Sequence, residues 1–241
     1  MRGRIFEEDG LTLETKIYRT FSVERLFQLF ESNENVVVRP ALWDDTFENL
    51  ALSSKISNGV ETGSFEFKDD IYGQCWTLQA ASDAIWRIYS QGTNGIRIRS
   101  TVGKLFYSLA NSSQLGANGE TFIGKVNYLS ESKLRKFADT HFTNGNIRPE
   151  AIAKTLTVKR KAFLHEKEVR LIYVSDNRQA DPVLRFGIDP YNLIDQIMIH
   201  PQLRVAEADR LKWTLKNYLN YQGEVKRSLL YAPPKGFTFK I

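Results

Sequence analysis

Apolar and polar residues alternate with a period of two from Glu168 to Tyr173. Val169, Leu171 and Tyr173 occupy one set of positions, and Glu168, Arg170 and Ile172 the other, which is the signature of a strand. The pattern predicts that the odd positions pack into a core. Glu166, Glu168 and Arg170 then lie in a row on the opposite face, roughly 7 Å between alternate residues. Two carboxylates and a guanidinium in one row form either a solvated strand face or the wall of a site. The residues just before them, Lys154 to Lys167, are the densest basic cluster in the chain and read as a helix end.

The remaining elements follow from the same periodicities. Lys16 to Arg19 reads as a short strand. Ser22 is placed to cap a helix in which Val23, Leu26, Phe27 and Phe30 recur at helical spacing up to about Glu31. Val36 to Val38 is a strand stopped by Pro40. Trp43 to Glu48 opens a second helix, expected to end near Gly59, and residues 60–70 are a polar connection. Ile71 to Leu78 is a buried strand. Ser82 caps a helix carrying Ile85, Trp86 and Tyr89, and Ile96 to Arg99 is a strand. Val102 to Ala110 is helical, Thr121 to Tyr128 extended, and 130–141 and 149–162 are helical, with Pro149 suited to a first turn. After the Glu168 strand come strands over Val183–Phe186 and Leu193–Ile199, a helix over Arg204–Tyr221, and a last strand over Glu224–Leu229. Residues 1–15 read as a tail or edge, and 16–241 as one α+β domain. Many short strands interrupted by helices predict a split, mixed sheet.

Composition narrows the classes. The chain has 241 residues, of which 42% are hydrophobic and 12% aromatic, enough for a sizeable core and too much for disorder. Its single cysteine, Cys75, allows neither an internal disulfide nor a cysteine zinc cage, which suits a reducing cytoplasm. No stretch approaches the roughly 18 apolar residues of a membrane span, and the N-terminus lacks a signal-peptide pattern. The net charge of +5 permits contact with nucleic acid without requiring it.

Several chemistries find no support. His141, His165 and His200 are far apart and show no metal-ligand spacing. There is no Gly-x-Ser-x-Gly elbow, no Walker loop and no Gly-x-Gly-x-x-Gly. Three carboxylate groups remain. Asp45 with Glu48 fits a helix capping box. Glu66-Phe67-Lys68 could complete a magnesium nuclease site with Asp44 or Asp45. Glu166 and Glu168 are the third group.

Read in order, Tyr18-Arg19, Trp43-Asp44-Asp45-Thr46-Phe47-Glu48, Cys75-Trp76-Thr77, Ile85-Trp86-Arg87-Ile88-Tyr89, Gly95-Ile96-Arg97-Ile98, Lys161 to Arg170 and Ile194 to Ile199 resemble the bacterial domain of unknown function 2971 over roughly Ile17 to Tyr231. Trp-Asp-Asp-Thr stands where that family usually has Asn-Asp-Pro, and Trp76-Thr77 where it has Phe-Ser. The layout is also similar to the arginine, serine and glutamate arrangement of ADP-ribosyltransferases, in which a split mixed sheet forms a cleft for NAD. The resemblance implies Glu168 and Glu166 as catalytic residues, the former stabilising an oxocarbenium-like ribose and the latter orienting or activating the acceptor. It implies Arg19, Tyr18, Thr77, Trp76, Trp86 and Tyr89 as the NAD-binding set, the arginine as a bidentate phosphate or ribose clamp and the rings as stacking surfaces.

Lys159, Arg160, Lys161 and Arg170 are expected to face the acceptor, a protein or nucleic acid. No metal is expected. The same resemblance implies a toxin or phage-defence effector, with an inhibitory partner protein and a cytoplasmic setting. Two other readings stay open. One is a binding module for a nucleotide or nucleic-acid end, and the other is the metal nuclease. Each residue also has a plain structural reading: a surface arginine, a β-branched strand threonine, and core aromatics at i and i+3.

Overall fold

The protein is described here by a computed structural model covering residues 3–7, 10–43, 45, 55–57, 62–64, 66–90, 92–115, 118–142, 148–177, 180–233 and 236. The chain begins with β1 (Gly3–Ile5), β2 (Lys16–Ser22), α1 (Val23–Ser32) and β3 (Glu34–Val38). Then come β4 (Lys55–Ser57), β5 (Thr62–Ser64), β6 (Ile71–Thr77), α2 (Asp83–Tyr89), β7 (Gly95–Thr101) and α3 (Val102–Ala110). The middle is β8 (Glu120–Lys125), β9 (Asn127–Leu129), α4 (Glu131–Phe142), α5 (Pro149–Thr155), β10 (Val158–Arg160) and β11 (Glu168–Val174). The last elements are β12 (Val183–Gly187), α6 (Pro190–Leu193), β13 (Gln196–Ile199), α7 (Val205–Asn217) and β14 (Glu224–Arg227).

Local chemistry sets the joints. The Ser22 hydroxyl accepts from the Arg25 N–H at 3.3 Å, so β2 runs straight into α1. Asn33, at φ 52°, closes that helix in the left-handed region and sends the chain directly into β3. Thr101 caps α3 and Ser82 caps α2 in the same way as Ser22.

Among the described residues the main sheet has ten strands, in the order β1-β8-β11-β6-β2-β7-β13-β14, with β3 joining β6 to β12. It is mixed: β1 with β8 and β13 with β14 are parallel, and the other pairs are antiparallel. It is also split. β6 pairs with β11 along its whole length but meets β2 only at Tyr18↔Thr77 and β3 only at Val38↔Gly73. β2 meanwhile pairs with β7 from Lys16↔Thr101 to Ser22↔Gly95. Two half-sheets are thus joined at one residue pair and diverge from it. In the opening between β3 and β6, the Gln74 side chain takes the place of ladder bonds, donating to the Val36 carbonyl at 2.6 Å and to Asn35 Oδ1 at 2.7 Å. The α+β class with a split mixed sheet flanked by helices, expected from the spacing of the elements, is the architecture found.

Helices α1, α3 and α7 cover one face of the sheet, where Leu26, Leu105, Leu109, Leu171, Ile197 and Leu215 meet in the larger core. A smaller core of Phe6, Phe122, Ile152, Leu156, Ile172 and Val174 lies under α5 on the other face. Every residue of β11 is therefore buried, which excludes a solvated strand face. Two expectations need correction. Lys55–Ser57 is a strand paired with Thr62–Ser64, so the second helix cannot extend to Gly59. The residues in which that helix was expected to begin, 46–54, lie outside those described. The basic segment is also not a helix end. It is β10, paired with β9, followed by a 3-10 turn over Lys161–Glu166.

Candidate active site

Where the half-sheets diverge, a cleft of about 420 Å³ opens, within the roughly 300–1,000 Å³ typical of small-molecule sites. β2 contributes Tyr18, Arg19 and Thr20, β6 contributes Gly73 to Thr77, and α2 contributes Ile85, Ile88 and Tyr89. The segment around β10 and β11 adds Lys159, Phe163, His165, Glu166 and Glu168. The register aligns three of these residues. Tyr18 opposes Thr77, and Thr77 opposes Glu168, so β2, β6 and β11 present one cross-strand row at the joint of the sheet.

Glu166 is not on the strand. It ends the 3-10 turn, and Lys167, at φ 43° and ψ 55°, reverses the chain into β11. A side chain in this left-handed region costs about 1–2 kcal/mol. The turn is held by Leu78, whose N–H donates to the Lys167 carbonyl at 2.9 Å, and by Thr77, whose hydroxyl donates to the Glu166 carbonyl. The reversal brings both carboxylates onto one ammonium: Lys159 Nζ bonds Glu166 Oε2 and lies 2.5 Å from Glu168 Oε1. Arg170 Nε donates to Glu168 Oε2 at 2.7 Å, and its other end reaches the Leu156 carbonyl at 2.7 Å. All four side chains are nearly or fully buried.

Two buried carboxylates this close do not both ionise at neutral pH. Burial, then the adjoining Glu168, push the Glu166 carboxyl up to about 8 against the pull of Lys159. Burial also acts upward on Glu168, but Arg170, the hydrogen bonding with Glu166, and Lys159 outweigh it and hold the group below the ordinary carboxylate range. Near pH 7 the pair shares a proton, drawn toward Glu166 because Glu168 has both Lys159 and Arg170 beside it while Glu166 has Lys159 alone. The Tyr89 hydroxyl lies 3.4 Å from Glu166 Oε1, and burial followed by the two carboxylates raises its pKa.

The shifts carry a sign for stability. Because the folded value of Glu166 lies above its unfolded value, the native state holds the extra proton between them. That contribution is full below the unfolded value and is lost as pH rises through about 8. The expected result is a melting midpoint that falls between about pH 6 and pH 9, with the slope reduced in Glu166→Gln. Thermal scans across that range check it.

Across the cleft, Arg19 has no hydrogen bond or ion pair among the described residues. Its neighbour is the Phe21 ring, 5.7 Å from the guanidinium carbon. Burial draws its pKa down to about 10, so it remains charged at neutral pH. A desolvated guanidinium lining a cleft without a counter-ion is suited to an anionic ligand.

The structure brings together at the cleft eight residues singled out from sequence: Tyr18, Arg19, Trp76, Thr77, Tyr89, Lys159, Glu166 and Glu168. It places four elsewhere. Trp86 is 2% exposed and packs edge-on against His200 at 5.0 Å, so it stacks on core rather than on a ligand. Arg160 is paired with Asp45 at 2.8 Å. Arg170 is fully buried between Glu168 and the Trp43 ring, 4.5 Å away. Lys161 is exposed but outside the cleft. Lys159, Arg160 and Arg170 are thus committed to internal carboxylates, because a desolvated carboxylate needs a cation beside it. The Thr77 hydroxyl is committed too, since it also accepts from the Gln79 N–H at 2.9 Å. Thr77 therefore positions Glu166.

Trp43 was not among the residues singled out for the site. A Cβ on Gly73 would sit 2.7 Å from its ring, so this strand glycine lets the indole approach β6 closely. Gly73→Ala is expected to push Trp43 off Arg170 and cost about 1–3 kcal/mol, which tryptophan emission and denaturant melts would show together.

Of the carboxylates weighed for a nuclease, Asp44 and the Glu66 side chain lie outside the described residues. Among the described residues no group of three or more His, Cys, Asp or Glu is placed to hold a metal ion. No helix among them is long and apolar enough to cross a membrane.

Residues 85–171 match the family model DUF2971, a protein of unknown function. The DUF2971 match runs from α2 into β11 and contains Tyr89, Lys159, Glu166, Glu168 and Arg170, while Arg19 and Thr77 precede it. It is shorter than the span from Ile17 to Tyr231 over which the motifs are recognised. No curated protein matches the sequence. Among solved structures, DarT of Thermus sp. 2.9 in complex with NAD+ aligns at 13% identity over 90% of this chain and 97% of its own, with a TM-score of 0.42. The same protein in complex with ADP-ribosylated ssDNA aligns at 12% identity over 90% and 96%, with a TM-score of 0.41. Likeness at this level carries no functional argument.

Proposed function

We propose that this protein binds NAD in the cleft, breaks its nicotinamide–ribose bond and transfers ADP-ribose to a protein or nucleic-acid acceptor. The observation that carries the reading is the cross-strand row Tyr18–Thr77–Glu168 at the joint of the split sheet, with Arg19, unpaired among the described residues, on the same cleft. Glu168 is ionised and lines the cleft. Its carboxylate has about four lone-pair positions, and Lys159 and Arg170 engage one on each oxygen. The Glu166 carboxyl shares a hydrogen bond with it, and what remains of the carboxylate faces a ribose hydroxyl and the positive charge developing at C1′.

As the C1′–N bond breaks, its electron pair leaves with nicotinamide, which becomes neutral. The cationic ribose is then stabilised by a carboxylate that needs no reorganisation, because two cations already orient it. The acceptor's lone pair closes on C1′ and its proton departs to solvent. Glu166, protonated near neutral pH and hydrogen-bonded to Glu168, orients ribose or acceptor by accepting a hydrogen bond from it. Of the two roles the resemblance implies for Glu166, orienting or activating the acceptor, this is the orienting one. Arg19 supplies charge to the phosphates, and the exposed ring of Tyr89 supplies apolar surface for nicotinamide, with Trp76 packed behind the cleft.

Purified protein incubated with NAD in the presence of chelator is expected to release nicotinamide, and label from NAD transferred to a lysate component would name the acceptor. Stabilisation by NAD without release would instead mark a binding module.

A further inference from the structure

We propose that Thr20 and Arg97 form a diphosphate subsite on the wall of the cleft, opposite the glutamates. Thr20 lines the cleft, is 7% exposed, and its hydroxyl has no hydrogen-bond partner among the described residues. In the ladder it directly opposes Arg97 of β7, so the two side chains share a face of the sheet. Arg97 is also 7% exposed. Its guanidinium lies 4.9 Å over the ring of Tyr18, another cleft residue, and its Nε has no partner. No hydrogen bond or ion pair engages any of its donors among the described residues.

A structural arginine at this depth would be expected to have a carboxylate or several carbonyls, since burying a charge without hydrogen bonds is costly. The Tyr18 ring offers attraction to the cation but no acceptor. The neighbouring Arg99, which opposes Tyr18, also has an Nε without a hydrogen bond among the described residues, but its charge acts on Glu224. β2 has no partner from β6 beyond Tyr18, leaving that edge of the cleft open. Arg19 lies next to Thr20 on it. An anion with two linked charged groups suits this arrangement. One phosphate would take Thr20 and Arg97 and the other Arg19, with Tyr18 between the subsite and Glu168. The identification of the ligand as the diphosphate of a dinucleotide rests on the NAD reading. The anion subsite itself does not.

Inorganic pyrophosphate is the probe, titrated calorimetrically into the full chain against sodium sulfate at equal ionic strength. The wild type is expected to bind pyrophosphate in preference to sulfate. Arg97→Met is expected to weaken binding about ten- to a hundredfold, the range for losing a charge-assisted hydrogen bond. Thr20→Val, nearly isosteric, should weaken it about fivefold. Failure of the wild type to bind, or wild-type affinity in Arg97→Met, overturns the subsite. If Arg97→Met does not fold, wild-type affinity in Thr20→Val overturns it. Loss of pyrophosphate binding in these variants of a protein that never turns over NAD would retain the subsite and remove the NAD reading. Turnover with pyrophosphate affinity indifferent to both residues would do the reverse.

Discussion

Lys159→Met is expected to cost about 3 kcal/mol of stability, the lower end of what breaking a buried ion pair usually costs. The ammonium is the common partner of Glu166 and Glu168, and its own exposure is 6%. Removing it leaves Glu168 with Arg170 alone and Glu166 with no cation. The cost stays at the lower end because Glu166 can keep its proton, and for the same reason it should grow as pH rises past about 8. Lys161→Met, a change at an exposed lysine two residues on, should move stability by less than about 0.5 kcal/mol. Urea melts of both variants at two pH values check the claim. A Lys159→Met loss below about 1 kcal/mol would mean that water, rather than the ammonium, satisfies the carboxylates.

Glu168→Gln is expected to keep the fold and the affinity for NAD while lowering nicotinamide release by about a hundredfold or more, as when a preorganised electrostatic group is removed. The amide retains the volume of the acid, and its oxygen can still accept from Arg170. With the neighbouring charge gone, Glu166 loses what, after burial, most raises its pKa. It then ionises and becomes the counter-ion of Lys159. The cluster stays paired, but the negative charge no longer sits in the row with Tyr18 and Thr77.

The period-two signal in β11 located the strand and its two faces, and the caps at Ser22 and Ser82 marked two helix starts. The split sheet was legible because its short strands and helices alternate along the chain. Sequence pattern could not show what the carboxylates would meet. Lys159 and Arg160 read as a basic face because periodicity carries no information on ion pairing across a turn, and the turn itself depends on Lys167 adopting a left-handed conformation. Trp86 and Tyr89, three residues apart on one helix, were treated alike, yet one packs on His200 and the other faces the cleft. Gly73 inside a strand was a usable sign of close approach, and it marks Trp43. Arg97 lies in the Gly95-to-Ile98 motif but gave no sign of a binding role. On an alternating strand it is one more polar position, and only the absence of partners around it sets it apart.

The most direct test is the initial rate of nicotinamide release from saturating NAD by wild type and Glu168→Gln side by side, in chelator, with matched melting curves and NAD binding verified for both. Release by the wild type that falls at least about a hundredfold in the variant is the predicted result. Equal rates from two folded, NAD-binding proteins would contradict the assignment of Glu168, and no release from either would contradict the enzyme.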